Sequence, residues 1–527
     1  MYNNFGDLLS SLAKKYGEKA AFIIKNKQEG KVSYKNISFI KLERDVRAFA
    51  KALELRGLAG KRIAVIGKNC YEWMVVMLGT IYSGSASVPL DRALTHEEIM
   101  EQTERIEADA FVFGSDYIET AKQKNTYNIC FEPMEGYEDV QGLVTEGYKA
   151  GLSENKCVEW TQPSFYLFTS GTTAKSKIVM LCQKNILSNI DDMSKVEDLR
   201  STDVNLALLP FHHTFGMVGV LMLLSVGATN VFCEGLRVQK ALCEYKVSVL
   251  VAVPLILDSM KKLTEKTIKK EGLSFAFGLL GAANKITRLT GLDLRRKIYK
   301  PLLKKFGGDL RLMISGAAPL APETAKFFQD KGIEVIQGYG LTETAPVVAA
   351  ESYMYKRRGS VGKAMPSDDI KIIEGTGEIA VKGPNVMLGY YQSEEMTRDV
   401  LRDGYFHTGD VGFIDKDGFL FITGRIKNVI VLENGKKVYP EEFEFHIDKL
   451  DYVKEVVVKN EKQGKKDKVT AIVVADIENY TLEEAKEMFD KDVKKINKRL
   501  ASYKQIQDYH VTDVEFDKTS TGKIKRH

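Results

Sequence analysis

The sequence predicts an α/β protein with parallel sheets, followed by a smaller α+β unit. From Lys61 onwards, short apolar segments alternate with helical patterns, and the strand-like segments end in Pro or Gly beside polar residues. After about Gly409 this alternation gives way to hairpin patterns. Alternating strands and helices favour parallel sheets with helical crossovers, whereas consecutive hairpins favour antiparallel pairing.

The elements of the α/β part follow from its apolar runs. Tyr71 opens a helical pattern, YEWMVVMLGTIYSG, and Thr95-His-Glu-Glu98 predicts a capping box at the start of the next helix. In open α/β sheets, ligands bind at the carboxyl ends of the strands, so the residues that follow each predicted strand are candidates for a site. The predicted strands are KRIAVIG from Lys61, ASVPL from Ala86, DAFVFG from Asp109, VNLALLP from Val204, VSVLVAVP from Val247, LRLMISG from Leu310 and IEVIQGYG from Ile333.

The C-terminal part contains two predicted hairpins and a helix. The first hairpin turns at Asp415-Lys-Asp-Gly418 and the second near Gly464, and Thr481-Leu-Glu-Glu484 caps a helix that we expect to reach about Leu500. A chain of 527 residues is too long for one core. We therefore predict domains at 1–426 and 427–527.

Composition narrows the class of protein. A net charge of +5 is small for this length and argues against a dedicated nucleic-acid binder. The six cysteines lack CxxC spacing, which favours reduced thiols and a cytoplasmic location over zinc ligation or disulfides. The N-terminus lacks the pattern of a signal peptide, and no apolar run approaches the roughly 18 residues of a membrane span.

The segment FTSGTTAKSKIVML, from Phe168, has the chemistry of a phosphate loop. Its hydroxyls and one glycine can surround an anion with N–H and O–H donors, and two lysines add positive charge. A polar turn after a strand is the alternative. The candidate residues are Thr169, Ser170, Gly171, Thr172, Thr173, Lys175 and Lys177.

Four further segments supply complementary chemistry. SGAAPL, from Ser315, has small residues on which a planar ligand can lie. QGYGLTET, from Gln337, offers an aromatic face, a hydroxyl donor and a carboxylate for Mg²⁺. YFHTGDVG with GRIKN offers Asp410 and Arg425 for ribose or phosphate, and TSTGKIKR carries Lys523 on a glycine turn. Each segment alone could be an ordinary turn.

This order of motifs resembles the adenylate-forming superfamily of acyl-CoA synthetases, firefly luciferase and peptide-synthetase adenylation domains. The resemblance implies a large N-terminal domain of two α/β subdomains with a distorted β-barrel, and a small mobile α+β C-terminal domain. It also implies residue roles: Thr169 to Lys177 for ATP phosphates; Ala317, Ala318, Gly338 and Tyr339 for adenine; Thr342 and Glu343 for the α-phosphate and Mg²⁺; Asp410 and Arg425 for ribose; Lys427 as the hinge; and Lys523 as the adenylation lysine.

The resemblance further implies the reaction. A carboxylic acid is activated by ATP to acyl-AMP, and coenzyme A then displaces AMP, with Lys523 needed only in the first step. His213 in LPFHHTFGM falls at the position where the family has a histidine or aromatic residue beside the substrate carboxylate. Amino-acid-activating domains carry an aspartate in this region, so His212-His213 argues against an α-amino acid substrate.

The flanking sequence is most similar to bacterial long-chain acyl-CoA synthetases, which predicts a medium- or long-chain fatty acid. The extra segment from Lys261 to Lys300 is interpreted either as an acyl entrance or peripheral membrane contact, or as an amphipathic helix packed on the core. Three alternatives stay open: an aryl acid, a carrier-protein phosphopantetheine as acceptor, and a non-catalytic nucleotide-binding relative.

The phosphate loop departs from the family pattern at three positions. Glycine is usual where Ala174 and Ile178 stand, and proline where Ser176 stands. Side chains at positions 174 and 178 restrict a backbone that must move over phosphate. Serine in place of proline leaves the open loop with more conformational entropy to lose. We therefore expect a working loop with weakened ATP affinity.

Overall fold

The computed structural model describes residues 2–28, 31–154, 160–169, 176–233, 237–270, 293–431, 437–463, 466–498, 500, 504–518 and 524. These residues form two compact units. The first contains the chain up to Thr169, then 176–369 and 382–404, and the second contains 370–381 and the chain from Tyr405. The predicted turn near Gly464 and most of the segment between Lys261 and Lys300 lie outside the described residues.

Helices are numbered in chain order. They are α1 (Phe5–Tyr16), α2 (Phe39–Leu55), α3 (Tyr71–Tyr82), α4 (His96–Arg105), α5 (Ile118–Gln123), α6 (Val140–Ala150), α7 (Gln183–Val196), α8 (Thr214–Ser225), α9 (Val238–Glu244), α10 (Pro254–Lys270), α11 (Arg295–Ile298), α12 (Lys300–Lys304), α13 (Pro322–Gln329), α14 (Glu394–Val400), α15 (Pro440–Ile447) and α16 (Leu482–Asn497). Short 3₁₀ turns cover Ser115–Tyr117, Thr342–Thr344 and Ile426–Asn428.

Strands are numbered in the same way. They are β1 (Ala20–Gln28), β2 (Lys31–Ser38), β3 (Arg62–Ile66), β4 (Ala86–Pro89), β5 (Ala110–Phe113), β6 (Tyr127–Cys130), β7 (Glu138–Asp139), β8 (Pro163–Thr169), β9 (Lys177–Cys182), β10 (Val204–Leu206), β11 (Thr229–Val231), β12 (Val249–Ala252), β13 (Leu312–Ser315), β14 (Glu334–Gly340), β15 (Val347–Ala350), β16 (Lys363–Ala364), β17 (Asp369–Ile372), β18 (Glu378–Lys382), β19 (Gly389–Tyr390), β20 (Leu401–Arg402), β21 (Tyr405–Ile414), β22 (Leu420–Arg425), β23 (Ile430–Val431), β24 (Lys437–Val438), β25 (Val453–Gln463), β26 (Lys466–Ala475) and β27 (Asp508–Thr512).

The first unit contains two large sheets. One has the order β16-β15-β14-β13-β12-β10-β11-β1-β2, and its central pairs are parallel. Ala252 of β12 lies opposite Ser315 of β13, which lies opposite Gln337 of β14. The segments that follow β13 and β14 therefore leave the sheet at the same edge.

The other sheet has the order β19-β9-β8-β4-β3-β5-β6-β7. Strands β4, β3, β5 and β6 run parallel, whereas β8 and β9 pair antiparallel and β19 pairs antiparallel with β9. The phosphate-loop segment is thus the connection of a hairpin at this sheet. The predicted mixed α/β architecture is confirmed.

The distribution of apolar residues on each helix matches how deeply the helix is buried in the first unit. Helices α3 and α8 are apolar around their whole circumference and almost fully buried, as expected of helices enclosed in a core. Helix α4 begins with the predicted capping box at Thr95. Helix α10 is amphipathic: Leu257 and Met260 are buried in the core, whereas Leu255 is exposed. Within the described residues, no helix is long and apolar enough to cross a bilayer.

The second unit is the smaller one and is α+β. Strands β21 and β22 form the predicted hairpin, and β25, β26 and β27 form a three-stranded sheet that packs with α15 and α16 around one core. Helix α16 has the predicted capping box at Thr481 and ends at Asn497. The unit also includes strands that precede residue 427. The domain boundary at 426–427 stays a prediction.

Asp368 of the first unit carries a buried carboxylate oxygen. Its Oδ2 accepts a hydrogen bond from Asn385 Nδ2 at 2.8 Å, whereas its Oδ1 is buried without a hydrogen-bond partner. The oxygen packs on Gly383, where a Cβ would lie 1.9 Å away. Burial therefore raises the pKa of Asp368 to about 8.

We predict that Asp368→Asn stabilises the protein at pH 8.5 and flattens its pH dependence. The unfolded carboxyl has a pKa of about 3.9. The folded state thus holds a proton that the unfolded state has released, and the wild type loses stability as pH rises towards 8, by up to about 1.4 kcal/mol per pH unit. Denaturant midpoints at pH 6 and pH 8.5 measure this effect. The exposed neighbour, changed as Asp369→Asn, should keep the wild-type dependence, and identical slopes for all three proteins would contradict the prediction.

Candidate functional site

The arms of the predicted phosphate loop are the ends of β8 and β9. Thr169 lies opposite Lys177 in the hairpin register, and its hydroxyl lies 3.5 Å from the Lys177 carbonyl oxygen. The predicted residues between these arms, Ser170, Gly171, Thr172, Thr173, Ala174 and Lys175, lie outside the described residues. The structure therefore defines where the loop leaves and re-enters the sheet.

Arg105 binds Ser176, which lies on the arm of the loop that leads into β9. Its Nη2 donates to the Ser176 carbonyl oxygen at 2.7 Å and its Nη1 to the Ser176 hydroxyl at 3.2 Å. The guanidinium also lies over the Phe168 ring, 5.8 Å from its centroid. Arg105 is not evident from the sequence, because a basic residue in the last turn of a helix is an ordinary feature of helix ends.

Tyr390 connects the phosphate-loop arm with the predicted metal ligand. Lys177 Nζ lies 4.4 Å from the centroid of the Tyr390 ring, and the Tyr390 hydroxyl donates to Glu343 Oε1 at 2.9 Å. Burial, followed by the nearby Glu343 carboxylate, raises the pKa of Tyr390 well above its ordinary value. The hydroxyl therefore stays protonated and acts as a donor to Glu343.

Hydrogen bonds also hold the backbone around Glu343. Its carbonyl oxygen accepts from the Met387 N–H at 2.8 Å. Glu343 lies in the turn Thr342–Thr344, and the Thr344 hydroxyl accepts from the Leu341 N–H at 3.0 Å. Thr342 is thus in the same turn as Glu343. Tyr390 is not evident from the motif that contains Glu343, because it lies 47 residues further along the chain.

The predicted adenine residues lie where β13 and β14 end. Ala317 has φ +69°, a left-handed conformation that is uncommon for a residue with a Cβ, and both Ala317 and Ala318 are exposed. Gly338 and Tyr339 belong to β14 and pair with β15. Because β13 and β14 are neighbouring parallel strands, all four residues lie at the carboxyl-end side of the sheet.

Close backbone approaches explain the small residues of these motifs. A Cβ on Gly340 would lie 1.8 Å from the Pro346 carbonyl oxygen, and a Cβ on Gly316 would lie 2.9 Å from the Phe215 ring. Phe215 belongs to α8. The SGAAPL turn therefore packs directly against the helix that follows the histidine pair.

His213 is the N-cap residue of α8 and lies in a separate group of side chains. Its ring centroid is 4.1 Å from that of His212, and the interplanar angle is 56°. The pair follows a segment that Asn69 holds by two hydrogen bonds. Its Nδ2 donates to the Leu209 carbonyl oxygen, and its Oδ1 accepts from the Phe211 N–H. The predicted position beside the substrate carboxylate stays a prediction.

In the second unit, Asp410 and Arg425 lie opposite each other in the hairpin of β21 and β22. Arg425 Nε lies 2.5 Å from Asp410 Oδ1, and the Asp410 side chain is buried while that of Arg425 is half exposed. The structure thus brings this predicted pair together. Lys427, the predicted hinge, is exposed in the turn Ile426–Asn428. Lys523 lies outside the described residues.

Glu378 orients the segment that carries Asp410, and sequence analysis missed it. Its Oε2 lies 2.8 Å from His407 Nδ1, and its Oε1 accepts from the Gly409 N–H at 3.0 Å. Glu378 is itself buried on the neighbouring strand β18. A buried acid in a strand pattern was the signal that could have revealed it.

Comparisons with known proteins agree with the motif order. An AMP-binding enzyme family profile matches residues 9–391, and an AMP-binding enzyme C-terminal domain profile matches residues 427–527. Fatty acyl-CoA synthetase B of Dictyostelium discoideum is 28% identical over 96% of this chain and 82% of its own length. The 2-succinylbenzoate–CoA ligase of Bacillus cereus is 27% identical over 80% of each chain.

Solved structures include ATP-bound MatB from Rhodopseudomonas palustris, which has a TM-score of 0.78 and 26% identity and matches 100% of this chain and 97% of its own. These relatives support the prediction of an ATP-dependent acid–coenzyme A ligase and leave the acid open. By its two matching profiles and its fold, the chain belongs to the AMP-binding enzyme family, whose members are adenylate-forming enzymes.

Proposed function

We propose that the protein activates a medium- or long-chain fatty acid with ATP and transfers it to coenzyme A. The observation that carries the proposal is the chain of contacts from Lys177 through Tyr390 to Glu343. It links an arm of the predicted phosphate loop to the predicted metal ligand within one unit. A non-catalytic relative would not be expected to retain a buried, protonated hydroxyl that donates to this carboxylate.

The chemistry explains why such an arrangement is needed. A carboxylate oxygen attacks the α-phosphorus of ATP, the bond to pyrophosphate breaks, and acyl-AMP forms. Two anions must approach each other, so positive charge and hydrogen-bond donors lower the barrier. The thiol of coenzyme A then attacks the acyl carbon, and AMP leaves with the bonding electrons.

The residues fit a bound Mg²⁺. Carboxylate oxygens are the ligands that this ion prefers. A carboxylate offers roughly four acceptor positions, so the bond from Tyr390 leaves Glu343 with capacity for an ion. When bound, Mg²⁺ supplies positive charge to the phosphates. Tyr390 keeps the Glu343 side chain in one orientation, and Lys177 supplies further positive charge beside the loop.

We predict that Tyr390→Phe lowers the rate of acyl-AMP formation and raises the Mg²⁺ concentration needed for half-maximal activity. A buried hydrogen bond to a charged group contributes about 1.5–3 kcal/mol, which corresponds to roughly a ten- to hundredfold loss in rate. ATP–pyrophosphate exchange at varied Mg²⁺ measures both quantities.

Tyr391→Phe is the matched control for this variant. The Tyr391 hydroxyl accepts from Arg62 Nη1 at 2.7 Å, so the control removes a hydroxyl from the same strand region without touching Glu343. Equal effects of the two substitutions would show that the hydrogen bond from Tyr390 to Glu343 has no specific role in the reaction.

The acid is proposed from sequence similarity and from the surroundings of α8. The Dictyostelium fatty acyl-CoA synthetase aligns with nearly the whole chain, whereas the 2-succinylbenzoate ligase keeps the aryl-acid alternative open. Gly216, Gly219 and Val251 help to line a cavity of about 10 Å³ beside α8, a volume close to the minimum that one water molecule needs. An acyl chain entering here would have to displace the surrounding apolar side chains.

We predict that Gly219→Val shifts the preference towards shorter acids. A Cβ at this position would lie 3.3 Å from Val251 Cγ1, so valine fills the cavity. Each buried methylene contributes about 0.8 kcal/mol, or about a fourfold change in kcat/KM. Rates for acids of increasing length measure the shift, and Gly219→Ala should give a smaller one. An unchanged length profile would place the acyl chain elsewhere, and a higher rate with benzoate or 2-succinylbenzoate would favour the aryl-acid alternative.

Lys523 separates the two half-reactions. We predict that Lys523→Ala abolishes acyl-AMP formation but converts supplied acyl-AMP and coenzyme A to the thioester at a near-normal rate. The reason is that the lysine's charge is needed where the two anions meet and not where a neutral thioester forms. Half-reaction rates measured separately test the assignment, and equal losses in both would identify the lysine as structural.

One experiment tests the proposed function as a whole. ATP–pyrophosphate exchange is measured across fatty and aryl acids, and product masses are then determined with coenzyme A or with a phosphopantetheine-bearing carrier protein. Exchange with a fatty acid and an acyl-CoA product support the proposal. Acyl transfer only to the carrier protein favours that alternative, and failure of exchange with every acid favours the non-catalytic one.

A further inference from the structure

Glu351 extends the pairing of β14 with β15 by one residue, next to the predicted adenine residues. Its N–H donates to the Gln337 carbonyl oxygen at 2.9 Å, and its Oε2 accepts from the Gln337 N–H at 3.2 Å. Glu351 is 8% exposed. Gln337 directly precedes Gly338 and Tyr339, so one buried acid contacts both main-chain groups at the start of this motif.

A second carboxyl group, that of Glu197, faces Glu351. Glu197 follows α7, and the Ser352 hydroxyl joins this helix end to the segment after β15 by donating to the Val196 carbonyl oxygen at 2.9 Å. Among the described residues, Glu197 Oε2 is buried without a hydrogen-bond partner. Water and hydrogen-bond donors stabilise a charged carboxylate, so the position of this oxygen favours the protonated form.

Lys356 attracts both acids, but Glu334 already pairs with it. Lys356 Nζ lies 2.5 Å from Glu334 Oε2, and Arg295 Nη2 lies 3.3 Å from the other carboxyl oxygen of Glu334. One lysine thus faces three carboxyl groups. We refer to Glu197, Glu334, Glu351 and Lys356 as the carboxyl cluster.

The segment between β15 and β16 supplies the other groups that face the cluster. The Tyr355 side chain faces Glu197, and burial, followed by that carboxyl, raises the pKa of Tyr355. Lys363 Nζ lies 5.4 Å from the centroid of the Tyr355 ring. The Arg357 N–H donates to Glu351. When its acids are charged, the cluster therefore carries more negative than positive charge.

The charge of the cluster changes close to neutral pH. Burial raises the pKa of Glu197 to about 8 and that of Glu351 to about 7, although Lys356 lowers both. In the unfolded chain, a glutamate has a pKa of about 4.3. The folded segment therefore holds protons at pH 6.5 that the unfolded segment has released, and it loses stability as pH rises through 7 and 8.

We propose that Glu351 is a positioning residue for the adenine segment of β14, and that the carboxyl cluster makes the affinity for ATP fall as pH rises. The inference rests on the proposed function, because the assignment of Gly338 and Tyr339 to adenine comes from the family resemblance. Glu351 acts through Gln337, which it orients by two main-chain hydrogen bonds.

The experiment measures the dissociation constant of ATP by calorimetry on the full-length chain at pH 6.5 and pH 8.5. Glu351→Ala should weaken binding at least about fivefold at pH 6.5, because the buried Gln337 N–H loses an acceptor. Glu351→Gln keeps an acceptor but cannot become charged. It should match the wild type at pH 6.5 and bind ATP several-fold more tightly than the wild type at pH 8.5, within the limit of about tenfold per pH unit for one proton.

Glu323→Gln is the matched control. This exposed acid of α13 pairs with Arg358 at 3.4 Å and lies outside the cluster, so the variant should bind ATP as the wild type does at both pH values. Comparison of the proteins at the same pH cancels the titration of ATP itself.

The outcomes separate this inference from the proposed function, because ATP binding is measured without an acid or coenzyme A. Equal affinities of the wild type and Glu351→Ala, or the same pH dependence in the wild type and Glu351→Gln, would overturn the positioning role alone. If Glu351→Ala fails to fold, Glu351→Gln still decides the question. A wild type that does not bind ATP would overturn both proposals.

Discussion

The hydrogen bond from the buried Tyr390 hydroxyl to Glu343 is the interaction on which the candidate site of the first unit depends. It joins strand β19 to the turn after β14, and Lys177 on β9 covers the same ring. A hydrogen bond to a charged group contributes about 1.5–3 kcal/mol, and a partly buried cation–π contact about 0.5–2 kcal/mol. The predicted metal ligand and the arm of the predicted phosphate loop are therefore positioned by one aromatic residue.

The small residues of the nucleotide motifs serve the same framework. Gly340 has to lack a side chain because its backbone approaches Pro346, and Gly316 because it approaches Phe215. Ala317 keeps its left-handed conformation between these contacts at a cost of order 1–3 kcal/mol. The surrounding packing has to hold such a conformation in place, which is typical of surfaces that present backbone atoms to a ligand.

Much of the fold could be predicted because it rests on local patterns. Strand and helix periodicities, the capping boxes at Thr95 and Thr481, and the turn at Asp415 to Gly418 all depend on residues close in sequence. The motif order also predicted a role for Glu343 and paired Asp410 with Arg425, and the structure brings that pair together. Arg105, Glu378 and Tyr390 could not be found in this way. Their partners lie 71, 29 and 47 residues away, and only the tertiary fold brings them together.

Two of the three unusual phosphate-loop residues acquire a structural explanation. Ile178, where the family has glycine, is 4% exposed in the core of the first unit and lies opposite Phe168 in the hairpin. Its carbonyl oxygen accepts from the Tyr391 N–H at 2.8 Å. A residue held in this way belongs to the sheet, so the flexibility that glycine would provide is not used at this position.

Ser176 is likewise engaged, through its two hydrogen bonds to Arg105. A proline there would keep the carbonyl acceptor but lose the hydroxyl. The arm that begins at Ser176 is thus fixed by the sheet and by one guanidinium. Restoring glycine at position 178 would remove core packing, which costs several kcal/mol in buried sites. The weakened ATP affinity expected from the sequence therefore rests on Ala174 more than on Ile178.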